Sequence, residues 1–174
     1  MAMQAAFLRG VMATVVKNAE LVRAFEAAGF TKVRTLLASG NVVFDARAAS
    51  SAALEKKIEA AMQSELGRVF APIVRSSEEL EELIAADPFA ELHVPAEAKR
   101  VVSFFREKPK PAIALPVTQG KATVHALRGR HAFTSYLREP SSGPTFMVLI
   151  ERAFGRSVTT RTWETVLKVA RSLG

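Results

Sequence analysis

Apolar positions in the first half of the chain alternate between a short-strand and a helical pattern, in an order that fixes most of the expected architecture. Gln4 to Leu8 reads as an apolar strand. Asn18 is placed to cap a helix whose Leu21, Val22, Phe25 and Ala28 share one face before Gly29 stops it. Val33 to Asp45 carries two apolar runs around Ser39-Gly40-Asn41, where Gly and Asn tolerate positive φ, so it predicts a tight hairpin. Ser50 or Ser51 opens a second helix, with Leu54, Ile58, Met62 and Leu66 at four-residue steps and Gly67 at its end. Val69 to Arg75 returns as a strand. The order β-α-β-β-α-β is that of the ferredoxin-like, split βαβ unit.

The second half repeats this order less regularly. Ser76 and Glu79 have capping-box spacing ahead of a third helix with Leu80, Leu83 and Ile84 on its apolar face. Asp87-Pro88 to Pro95 reads as a connection, Lys99 to Arg106 as a strand, and the proline-bearing Lys108 to Pro116 as a loop or short helix. Lys121 to Leu127 and His131 to Leu137 form a second hairpin around Gly129, and two helices follow the Pro140 to Pro144 loop. The expected fold is therefore α+β: two ferredoxin-like halves, the second degenerate, with antiparallel sheets covered by helices. The expected divisions are residues 1–75, a helix and connection over 76–97, and residues 98–174.

Composition narrows the function classes. With Cys 0 there is no disulfide framework, thiol nucleophile or thiolate metal site, which fits a reducing cytoplasm. No apolar run has the length of a membrane span, and Gln4 and Arg9 interrupt the apolar start, so Met1 to Val16 reads as a strand and a loop rather than a signal peptide. The net charge of +7 is uneven. Residues 1–87 hold 10 basic and 11 acidic side chains, and residues 88–174 hold 14 and 6. A basic half suits anionic ligands or nucleic acid, through counterion release from phosphates, and equally suits an ordinary solvated surface.

Several blocks resemble a known family. Leu8-Arg9-Gly10, the Gly29-Phe30 helix end, Val33-Arg34-Thr35 and Ser39-Gly40-Asn41-Val42-Val43-Phe44 are similar to the opening signature of the bacterial family called domain of unknown function 1697. Glu151-Arg152-Ala153-Phe154-Gly155, followed by Thr160-Arg161-Thr162-Trp163-Glu164-Thr165-Val166-Leu167-Lys168, is similar to its closing motif. The resemblance implies paired ferredoxin-like units and no established activity. Two departures stand out. An Asn-Val-Gly-Gly-like turn is replaced by Val11-Met12-Ala13-Thr14-Val15-Val16, and the amides flanking the tryptophan are Thr162 and Glu164.

Candidate chemistry is sparse. Arg9, Gly10, Ser39, Gly40, Asn41, Arg161 and Lys168 make the leading ligand set, because arginines and turn amides offer fixed donors to an anion. Turn composition alone also explains the hairpin residues. Arg128, Arg130 and Arg171 are the candidate nucleic-acid contacts. Trp163, Val166, Leu167 and Ala170 follow helical spacing, which predicts a buried indole, with Glu164 and Lys168 paired across one turn. His93, His125 and His131 lack metal-ligand spacing, so no metal is expected, and with no P-loop and no Gly-x-Gly-x-x-Gly fingerprint no cofactor is expected either. The glutamates at 78, 79, 81 and 82 read as solvated helix surface. Phe7 and Phe44 lack the aromatic strand signature of RNA-recognition motifs and are expected to pack under helices. The leading reading is a binding module for an anionic small molecule or nucleic acid. A small-molecule enzyme with a cleft between the halves, and a structural domain that forms a homodimer, stay open.

Overall fold

The computed structural model describes residues 1–37, 40–138 and 145–174. The chain forms two compact units, residues 1–82 with 167–174 and residues 83–166. Both contain antiparallel sheets with helices.

The first unit runs β1 (Ala2–Leu8), α1 (Asn18–Ala27), β2 (Thr31–Leu36), β3 (Asn41–Ala46), α2 (Ser51–Leu66) and β4 (Pro72–Ser76), the order the hydrophobic periods predict. Its strands lie in the order β2-β3-β1-β4, with β1 and β3 central and every pair antiparallel. Opposed residues in such a ladder share a face. Ala6, Leu8, Val42, Phe44 and Val74 face α1 and α2, whose Leu21, Phe25, Leu54, Ile58 and Met62 complete the core. Phe25 meets Phe44 edge-on at 5.4 Å, and Phe30 lies 4.5 Å from Phe44. The other face carries Ala5, Phe7, Val43 and Arg75, all fully buried. Strand alternation sends Phe7 to the face opposite Phe44, away from α1 and α2, where it is also fully buried.

Local capping sets the helix ends. The Ser50 hydroxyl accepts the Ala53 N–H at 3.1 Å, and Gly67 closes α2 at φ +65°. Ser76 and Glu79 form the reciprocal capping box of α3 (Ser77–Ala85): Glu79 N–H donates to Ser76 Oγ at 3.1 Å, and Ser76 N–H to Glu79 Oε1 at 3.3 Å. The start of α1 differs by one residue from expectation. Lys17 is the N-cap, because the Glu20 carboxylate accepts its backbone N–H at 3.2 Å, and Asn18 is already helical.

The second unit contains the short α4 (Pro88–Glu91), β5 (Lys99–Phe104), β6 (Val117–Gln119), β7 (Ala122–Arg128), β8 (His131–Tyr136), α5 (Thr145–Phe154) and β9 (Thr159–Thr162). Its sheet has the order β6-β7-β8-β5-β9. The strands β6 and β9 were not legible as strands in the sequence: they become extended by pairing with β7 and β5. Leu149 and Ile150 of α5 pack on Val101, Val124 and Ala132. On the reverse face Phe89 of α4 meets Phe133 edge-on at 5.6 Å. The last helix, α6 (Trp163–Ser172), begins in the second unit and ends in the first, where Arg34 donates to the Ser172 carbonyl at 2.9 Å. Among the described residues no helix is long and apolar enough to cross a membrane.

Candidate functional site

The hairpin candidates hold the first unit together. Leu8 N–H donates to Gly40 O at 2.9 Å and Phe7 stands opposite Asn41, so the β2–β3 turn and Arg9 share one end of the sheet. Asn41 is 1% exposed, and its Nδ2 donates to Leu36 O at 3.2 Å across the hairpin. Gly40, at φ +76°, leaves no room for a side chain: an added Cβ would lie 2.8 Å from Val11 Cγ2. Gly10 is exposed at φ +80° with open space beside it. Arg9 has an exposed side chain, while its N–H donates to Ala71 O at 3.2 Å. Ser39 lies outside the described residues.

The basic candidates of the second half have varied roles. Arg128 forms a 2.7 Å ion pair with Glu91 and lies over the Phe133 ring at 6.0 Å. Arg130 Nη1 donates to Arg106 O at 3.1 Å, tying the hairpin tip to the end of β5. Lys168 and Arg171 are exposed on α6, and no ion pair joins Glu164 to Lys168 among the described residues. Arg161, in β9, donates from Nη1 to Thr160 O at 3.0 Å. Burial lowers its pKa to about 10.

Two depressions in the second unit bring together a different set of groups. One, of about 400 Å³, is bordered by Glu97, Lys99, Tyr136, Thr162 and Glu164. The other, of about 500 Å³, is bordered by Asp87, Phe89, His93 and Val94. Arg100 and Trp163 line both. The start of β5 supplies the cations, and the β9–α6 junction supplies the indole. Arg100 Nη1 donates to Ala98 O at 3.3 Å and Nη2 to Pro95 O at 3.5 Å, so backbone carbonyls orient the guanidinium. Phe89 meets Trp163 edge-on at 5.3 Å, and Tyr136 is stacked at 4.0 Å on Phe146.

The indole is only half-buried, contrary to the helical-period expectation. Trp163 is the first residue of α6, and the buried stripe runs instead through Val166 and Val169. Asp87 and His93, at φ +43° and +52°, bracket α4 in the left-handed region disfavoured for residues with a Cβ. Arg161 shares the sheet face of Arg100, since Val102, two residues on from Arg100, stands opposite Arg161.

A serine–histidine contact lies nearby. Ser135 stands opposite Arg100 in the ladder, and His125, at the β7 irregularity, places Nε2 2.7 Å from Ser135 Oγ. Burial lowers the His125 pKa, favouring the neutral ring. Among the described residues no carboxylate bonds its other nitrogen, and Ser135 is 5% exposed, so the pair lacks both the orienting group and the access of a nucleophilic site. No cluster of three His, Asp or Glu suited to a metal occurs among the described residues.

The sequence reading missed Lys99, Arg100 and Tyr136 as site residues. A pair of cations ahead of the apolar run Val101-Val102 was the available signal, but no spacing rule joins it to a tryptophan far along the chain.

Comparison with known proteins agrees with this fold. The chain is similar to the structure of conserved bacterial protein SP0830 from Streptococcus pneumoniae, with 21% identity, 99% of each chain covered and a TM-score of 0.68. That likeness speaks to the fold alone. No curated protein matches. The model of a protein family of unknown function, DUF1697, matches residues 1–133, which contain the hairpin signature and end before the closing tryptophan motif. With most of its length matched, the chain belongs to the DUF1697 family of proteins of unknown function.

Proposed function

We propose that the protein is a binding module for an anionic ligand, seated on the second unit where Lys99 and Arg100 border Trp163. One observation carries this reading: Arg100 and the half-buried Trp163 line both depressions. An arginine whose orientation is already set by backbone carbonyls loses little freedom on pairing with a carboxylate or phosphate. The unit lies within the basic half of the chain, which favours approach of an anion at long range. The hairpin cations first expected to contact nucleic acid lend less support, because Arg128 already faces Glu91.

Calorimetric titration with pyrophosphate at low salt tests the proposal. Saturable binding is expected, weakened by Arg100→Ala about tenfold or more, since a charge-assisted hydrogen bond contributes about 1.5–3 kcal/mol. Binding that is unchanged in the variant, or undetectable for both pyrophosphate and a phosphate ester, refutes it.

A further inference from the structure

We infer that the ligand of this site is a nucleotide, with its base against Trp163 and its phosphate on Arg100. The inference rests on the anionic-ligand reading above and adds a substrate class to it. Bare anions account poorly for the rim: Glu97 and Glu164 stand beside the two cations in the same depression and would repel a simple phosphate or carboxylate. For a nucleotide the same carboxylates are useful, as acceptors for ribose hydroxyls or the exocyclic amine of a base.

The indole supplies the third element. Phe89 meets it edge-on, and the half-buried residue lines both depressions. An aromatic face of this kind suits stacking of a planar base, and stacking tolerates any base because each has a π-face. The volume of about 400 Å³ lies in the ordinary range of small-molecule sites.

This chemistry is shared by a free mononucleotide and by one residue of a single strand, and the experiment separates the two. The chain has a single tryptophan, so intrinsic fluorescence reports on Trp163 without interference. The full-length protein is titrated with adenosine 5′-monophosphate, adenosine and a short single-stranded oligoadenylate, while pyrophosphate is followed by calorimetry. The monophosphate is expected to quench Trp163 saturably and to bind at least about tenfold more tightly than either pyrophosphate or adenosine, because stacking and charge pairing each contribute at least that factor.

Arg100→Ala is expected to weaken the monophosphate about tenfold and adenosine little, whereas Lys99→Ala, exposed and on the opposite face of β5, is expected to weaken the monophosphate less. Trp163→Leu, read by calorimetry, is expected to weaken the monophosphate about tenfold and pyrophosphate little. An oligonucleotide that binds more tightly per site than the monophosphate assigns the site to single strands; equal or weaker binding assigns it to free nucleotides. Pyrophosphate binding as tightly as the monophosphate overturns the nucleotide inference and leaves the anion reading in place. If neither binds, both fall.

Discussion

Gly40 offers a sharp test of how tightly the β2–β3 turn packs against the start of the chain. Its φ of +76° costs an L residue about 1–2 kcal/mol. A new methyl would also lie 2.8 Å from Val11 Cγ2, closer than Cβ atoms tolerate, and tightly at 3.0 Å from Val11 Cβ and 3.2 Å from Leu8 Cβ, and overpacking of this kind costs about 1–3 kcal/mol. Gly40→Ala is therefore expected to destabilise the first unit by about 2–5 kcal/mol. Gly67 is the control: at φ +65° with nothing within 4 Å of an added Cβ, Gly67→Ala bears the conformational cost alone.

Urea unfolding followed by circular dichroism gives both values, provided the slope m stays constant. The Gly40 variant is expected to lose about 1–3 kcal/mol more than the Gly67 variant. Val11→Ala removes the 2.8 Å approach and leaves the one at 3.0 Å, so in the double variant it is expected to recover part of the difference, read as a coupling energy. Equal midpoints for the two glycine variants, or no coupling with Val11, would refute the steric reasoning.

Other expectations follow from single contacts. Ser50→Ala removes the hydroxyl that caps α2 and is expected to cost about 1 kcal/mol in chemical denaturation, with Ser50→Asp close to neutral. Arg34→Ala strips the Ser172 carbonyl of its donor; hydrogen exchange is expected to accelerate in the last turn of α6, with a loss of about 0.5–1.5 kcal/mol. His125 is held below its unfolded pKa by burial, so the unfolded chain binds the proton more readily. Its contribution is complete above the unfolded value of 6.5 and is lost as pH falls from there through the lower folded-state pKa. Comparing urea midpoints of the protein and a His125→Gln variant between pH 8 and pH 5 isolates that slope, and parallel profiles would contradict it.

Legibility in the sequence followed the range of the forces involved. The order β1 to β4 and the ends of α2 and α3 were readable because Ser50, Gly67, Ser76 and Glu79 act within one turn of their own residues. Strands β6 and β9 were not, because three or four residues carry too little periodicity and take their conformation from distant partners. Lys99, Arg100 and Trp163 come together through the same β5–β9 pairing, so no local pattern announces them. Helical spacing correctly placed Val166 in the core and overstated the burial of Trp163, because periodicity gives the face of a residue and not its distance from the helix end. Asn41 stood out for its donor, and the bond from its Nδ2 to Leu36 O spans only the hairpin, a range the sequence does show.

Nuclear magnetic resonance tests the central claim most directly, since a single tryptophan gives a single indole N–H resonance. On titration with adenosine 5′-monophosphate, that resonance and the backbone amides of Lys99 and Arg100 are expected to shift together along one saturable curve. An indole resonance that stays in place while the ligand saturates resonances elsewhere, or throughout a titration that shifts nothing, would contradict the assignment of the site to Trp163 and Arg100.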